Sequence, residues 1–208
     1  MNRQQHLLKT AQRVAAWPHH HEHLIVDWSS RSPVDRAQLP ADPRLRLERV
    51  EGESRWNLCR AYNLAAQLAR GNVLLKLDAD CWPEQLDPKL FTSAEHQLCW
   101  FGSGPDGRLG QFLISREAFE AVGGFNEVLL GYGFDDKDLK ARLISQGFVL
   151  RALPVEAIGG TPDWVFATAD ERWVYLVWRS GRIMALDRES DDGATERYEV
   201  SEEAGITA

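Results

Sequence analysis

The sequence predicts an α/β domain on a mixed, mostly parallel sheet flanked by helices, with a small C-terminal β extension. Three observations carry that expectation. The apolar run 73–83, VLLKLDADCWP, follows a helical pattern at 54–70 through Gly71, the helix–glycine–strand order that a parallel crossover requires. Short apolar runs at 24–26, 98–101, 111–114 and 148–153 alternate with helical patterns at 4–16, 115–122 and 135–146. From Trp164 the pattern changes to three β-rich pieces, broken at Asp170-Glu171 and Ser180-Gly181.

At 208 residues the chain can bury one substantial core, and 44% hydrophobic with 26% charged residues is ordinary for a globular protein. The net charge of −7 argues against a nucleic-acid partner, so an anionic ligand would need a local cation. Cys59, Cys81 and Cys99 are odd in number and form no CxxC pair, which favours reduced thiols in a cytoplasmic setting over a disulfide framework. No apolar stretch is long enough to span a bilayer, and no secretory segment follows Met1.

In chain order, Leu7, Leu8, Ala11, Val14 and Ala15 recur at helical spacing, so 4–16 is an amphipathic helix ended by Pro18. His19-His20-His21-Glu22-His23 is expected as a solvated loop, because spacing this tight suits no usual closed metal site. Leu24-Ile25-Val26 forms a strand with Asp27 at its C-terminal end, where ligands collect in open α/β sheets. Asp27 is there equally a base or ribose contact and a turn or cap residue. Three prolines make 33–43 a loop before a weak strand at 44–50. Ser54 is expected to cap a helix reaching Arg70, with Arg60 and Asn63 as its polar residues.

Residues i and i+2 of a strand face the same way, so Asp78 and Asp80 are expected to project together from the end of the 73–83 run. Two adjacent carboxylates repel and are costly to bury unpaired. Mg2+ or Mn2+ relieves both problems and also binds phosphates. A strand running into an acidic turn is the commoner meaning of a lone D-x-D. Farther on, Ser115 caps a short helix. Gly123-Gly124-Phe125-Asn126-Glu127 and Gly131-Tyr132-Gly133-Phe134 then lead into Asp135, Asp136 and Asp138 at a helix start. Acidic residues complement the helix dipole there. That account fits Asp138 better than the glycine-framed pair. Residues 188–208 are acidic and poor in apolar side chains, hence expected to be disordered.

A strand ending in DWSS, then LDADCWP, then GGFNEVLLGYGFDDKDLKARL together resemble the family-2 glycosyltransferases of the GT-A fold, over roughly residues 3–155, the bulk of the chain. The last stretch is similar to the C-terminal module of galactosyltransferases and polypeptide GalNAc-transferases. The resemblance implies a Rossmann-like GT-A domain over 1–160 whose first strand is missing, with the β-rich piece 161–187 packed on it. It implies a metal-dependent inverting transfer of a sugar from a nucleotide donor, a UDP-sugar, to a hydroxyl acceptor. The alternative is a degenerate domain that binds nucleotide or glycan without turnover.

By the same resemblance, Asp27 and Asp78 contact the donor, with Arg60 and Asn63 nearby. Asp80 and Asp78 hold Mn2+ or Mg2+. Asp136 is the general base, and Asp135 orients the acceptor. Tyr132 stands where a sugar-stacking tryptophan is usual, beside Gly133 and Trp82. No histidine follows His96 to complete the metal site, which leaves Asp163 as a weak third carboxylate. The missing strand would leave an uncovered sheet edge, which favours a homodimer.

Overall fold

The computed structural model describes residues 4–94, 98–103, 108–129 and 134–160, and the backbone of four further strands between 164 and 200. It divides into two units, Met1–Gly160 and Thr161–Ala208.

The first unit opens with helix α1 (Gln4–Ala16), as the periodicity predicts. Its Ala11 packs with Leu7 and Leu8 against Ile25, Leu39 and Leu45. Strand β1 (His23–Trp28) pairs in parallel with β2 (Leu45–Val50). Helix α2 (Leu58–Leu68) starts later than the Ser54 cap would place it. Asn57 is the N-cap, its side chain accepting from the Arg60 amide at 2.9 Å.

The 73–83 run is two strands, β3 (Val73–Lys76) and β4 (Cys81–Pro83), with a turn between them. The Cys81 amide closes that turn on the Asp78 carbonyl at 3.0 Å. Asp78 and Asp80 are therefore turn residues, and the strand rule that would set them side by side does not apply. The cause lies far along the chain: β4 breaks away to pair antiparallel with β8 (Ile158–Gly160). Gly159 faces Trp82 so closely that a Cβ there would collide with the indole.

Between them run helix α3 (Lys89–Ala94), strand β5 (Leu98–Phe101), strand β6 (Phe112–Ser115), helix α4 (Arg116–Ala121), helix α5 (Asp135–Ser145) and strand β7 (Val149–Ala152). Ser115 caps α4 as expected, accepting from the Ala118 amide at 3.0 Å. The main sheet has the order β3-β6-β5-β7. It is mixed, but β6 runs antiparallel to both its neighbours, so only β5–β7 is parallel within it. Phe112 anchors the core, its ring 5.8–6.1 Å from those of Phe101, Phe119 and Phe125.

The second unit is an antiparallel meander of β9 (Trp164–Thr168), β10 (Trp173–Trp178), β11 (Ile183–Asp187) and β12 (Arg197–Val200). The first three are the β-rich pieces of the sequence. The fourth pairs along the β11 edge, with Arg197 opposite Leu186 and Val200 opposite Ile183.

Candidate active site

Four segments meet at one point of the first unit. Helix α2 brings Tyr62, β3 and its turn bring Lys76 and Asp78, the residues before β6 bring Gly110 and Gln111, and α5 brings Asp135 and Asp136. The Lys76 side chain is 4% exposed, and its Nζ stands 2.9 Å from Asp78 Oδ1. It donates to the Gly110 carbonyl at 2.7 Å and lies 4.6 Å from the centre of the Tyr62 ring.

Both carboxylate oxygens of Asp78 have partners, although its side chain is 36% exposed. Its Oδ1 is 2.7 Å from the Tyr62 hydroxyl, which also lies 3.1 Å from the Leu77 carbonyl. Its Oδ2 accepts from Gln111 Nε2 at 2.6 Å, while its amide donates to Gln111 Oε1 at 2.7 Å. Burial would raise the Asp78 carboxyl, but Lys76, Tyr62 and Gln111 outweigh it and hold the group below the usual carboxylate range. Burial likewise works against the charge on Lys76, and Asp78 and Asp136 outweigh it, so the ammonium is retained.

Asp136 differs. A Cβ on Gly110 would meet Asp136 Oδ2 at 3.1 Å, Lys76 Nζ at 3.3 Å and Asp78 Oδ2 at 3.7 Å, so the three groups converge on one tight space beside Gly110. Asp136 Oδ1 is buried and accepts no hydrogen bond. Burial, with the neighbouring Asp135, raises the Asp136 carboxyl above its ordinary range against the pull of Lys76 and Lys140. A carboxylate with a vacant oxygen and raised proton affinity is suited to accept a proton. Asp135 is buried at the first position of α5. Asp138 is not part of this cluster; it pairs with Arg142 at 2.6 Å, one turn along the helix. Phe134, just before α5, has a φ of +68°, a left-handed conformation uncommon for a non-glycine residue.

Asp80 sits on the β3–β4 turn, its Oδ1 3.7 Å from Cys81 Sγ. Among the described residues no three His, Cys, Asp or Glu side chains group to hold a metal. Both oxygens of Asp78 are already engaged. The described residues therefore do not fit the Mn2+ or Mg2+ ion shared by Asp78 and Asp80 that the D-x-D spacing suggests.

Residues 106–161, which carry Gly110, Gln111, Asp135 and Asp136, match a family model described as the N-terminal domain of galactosyltransferase. The structure is similar to the catalytic domain of Drosophila beta1,4-galactosyltransferase 7, solved in complex with xylobiose. The TM-score is 0.51 at 17% identity, over 73% of this chain. The fold is that of a GT-A glycosyltransferase. The chain spans 60% of the length of that Drosophila chain. No curated protein matches it.

Within the GT-A domain the other expected site residues fall elsewhere. Asp27, its side chain 1% exposed, accepts from the Ser30 amide at 3.2 Å, the Val34 amide at 3.0 Å and Arg49 Nη1 at 2.5 Å. It closes its own loop after β1 and offers no free oxygen to a nucleotide. Arg60 is exposed, pairs with Glu53 at 2.9 Å and lies over the Trp28 ring. Asn63 is buried and clamps the GGFNE segment: it donates to the Phe125 carbonyl and Glu127 Oε1 and accepts from the Phe125 amide at 2.8 Å. Gly124, at a φ of +69°, gives it room; a Cβ there would lie 2.5 Å from Asn63 Oδ1. Trp82 is buried, its indole N–H donating to Glu84, with Lys9 and Arg13 of α1 over its ring. It joins β4 to α1 and is no open sugar platform. Tyr132, Gly133 and Asp163 lie outside the described residues.

Sequence reasoning missed Lys76, Tyr62, Gly110 and Gln111. A lysine inside an apolar strand was the available signal. The histidine run is a solvated loop only in part: His19 and His21 are exposed, while His20 and His23 are not. The His20 side chain is 8% exposed with Nε2 3.7 Å from Asp42 Oδ2, and His20 Nε2 and His23 Nδ1 are both buried without hydrogen bonds. Burial lowers the pKa of His23 to about 4. Among the described residues no helix is long and apolar enough to cross a membrane.

Proposed function

We propose that this chain is an inverting glycosyltransferase that moves a sugar from a nucleotide donor, a UDP-sugar, to a hydroxyl acceptor, with Asp136 as the general base. The observation that supports it best is the buried, unpartnered Asp136 Oδ1 beside the Lys76–Asp78 pair, inside the segment that matches the galactosyltransferase model.

Asp136 Oδ1 takes the proton of the acceptor hydroxyl as that oxygen attacks the anomeric carbon. The bond from that carbon to the diphosphate oxygen breaks, and UDP leaves with the electron pair. A single displacement inverts the anomeric configuration. Asp135, one residue away, orients the acceptor, and holding both substrates in line supplies much of the acceleration. The Mn2+ or Mg2+ ion expected from the resemblance is assigned no step, since the described side chains form no site for it.

Calorimetric titration with UDP, followed by NMR of the sugar product, tests this reading. Saturable UDP binding and a product of inverted anomeric configuration are expected. Binding without turnover over a panel of UDP-sugars and simple acceptors would favour a non-catalytic nucleotide-binding domain. A folded chain that does not bind UDP would overturn the proposal.

A further inference from the structure

Lys76 is a buried cation that neither the sequence motifs nor the fold match assigns a role. Its ammonium touches Asp78 Oδ1 and the Gly110 carbonyl, and lies near the point on which Asp136 Oδ2 and Asp78 Oδ2 also converge. Two carboxylates directed at one small space repel each other unless a positive charge lies between them. A hard divalent cation with oxygen ligands is one solution. This chain has built another, a covalently tethered ammonium from β3.

We propose that Lys76 is a positioning residue that fills the cation place at Asp78, keeping a divalent ion from binding between Asp78 and Asp136. Its ammonium supplies the compensating charge, fixes the Asp78 rotamer together with Tyr62 and Gln111, and ties β3 to the Gly110 carbonyl. Gly110 is part of the device, because a side chain there would enter the space shared by the three groups. Removing the ammonium takes away the cation nearest the Asp78 and Asp136 oxygens and the Gly110 carbonyl, with Lys140 left as a cation that acts on Asp136, and leaves a set of hard donors that favours a divalent ion. The proposal takes its active-site setting from the function proposed above. Its test uses Mn2+ alone and needs neither UDP nor turnover, so the two can fail separately.

The experiment is Mn2+ titration followed by the electron paramagnetic resonance signal of the free ion, on the wild type and on Lys76→Met, each checked for folding by circular dichroism. The proposal expects Lys76→Met to gain Mn2+ affinity by at least tenfold over the wild type, and the added Asp136→Asn change to reverse the gain. A purely structural lysine would not produce a gain. Unchanged or weaker Mn2+ binding in folded Lys76→Met would overturn the proposal. Lys76→Gln serves in the same comparison if the methionine variant does not fold. If neither folds, the wild type decides through Asp78→Asn. Mn2+ affinity within twofold of wild type, or no measurable binding to either, agrees with an Asp78 already filled by Lys76. A tenfold loss makes Asp78 a metal ligand and overturns the proposal.

Discussion

Asp27 and Asp136 are both set at element ends in the same domain, and they have opposite surroundings. Asp27 receives two backbone amides and a guanidinium, and these hold its carboxyl below the usual range despite its burial. Asp136 has a buried oxygen with no donor, and burial raises its carboxyl. A carboxylate whose lone pairs are all taken contributes to holding a loop; one left open in a dry place holds unused proton affinity. Position at an element end, the last residues of a strand for Asp27 and the first turn of a helix for Asp136, does not separate these cases. The donors that reach each oxygen do.

The largest effect expected from this contrast is at Asp136. Asp136→Asn should lower turnover of a UDP-sugar by roughly 10²–10⁴-fold, the usual contribution of a general base, with thermal stability equal to or above wild type. Asp27→Asn should do the reverse, lowering stability while turnover per folded molecule stays near wild type. Steady-state kinetics beside thermal unfolding of both variants separates them.

A second test lies in the His20, His23, Asp42 and Arg44 cluster, where α1, β1 and β2 meet. Arg44 bonds Asp42 at 2.8 Å and the Ala15 carbonyl at 2.8 Å, and holds the Asp42 carboxyl at about 2. Burial, with His20 beside it and against the pull of Asp42, lowers the pKa of His23 to about 4 from 6.5. The folded state thus prefers neutral His23. Its contribution is fully present above the unfolded pKa near 6.5 and is lost as pH falls toward 4. The loss should reach about 3 kcal/mol from this shift. Urea unfolding between pH 8 and pH 4.5 measures it, and His23→Gln should flatten that dependence.

Smaller effects sharpen the division between structural and reactive polar groups. Asn63→Ala should cost about 2 kcal/mol, by orphaning the buried Phe125 amide and carbonyl, and should speed hydrogen exchange at Phe125. A donor contact at Asn63 would instead weaken UDP binding with little change in stability. Ser115→Ala should cost about 1 kcal/mol through loss of the α4 cap, read from denaturant midpoints, with UDP binding unchanged.

The local parts of this account were legible in the sequence. The helix at 4–16, the Ser115 cap and the helix that starts at Asp135 all rest on spacing over a few residues, and the structure keeps them. What escaped rests on distant partners. Lys76 reads as an oddity in an apolar run until Gly110, 34 residues away, supplies its acceptor. Asp78 and Asp80 read as a strand pair until β8 draws Cys81-Trp82-Pro83 into a separate ladder. Trp82 reads as a platform until Lys9 and Arg13 cover it, and His20 reads as a solvated loop residue until Asp42 comes to lie beside it.

The most direct test of Asp136 as the open, reactive carboxylate is UDP-sugar turnover by wild type and Asp136→Asn at matched UDP occupancy. The account predicts UDP dissociation constants within about twofold of each other and turnover confined to the wild type, since the asparagine retains the shape and loses the proton acceptor. Turnover by Asp136→Asn at the wild-type rate would contradict it and move the base elsewhere.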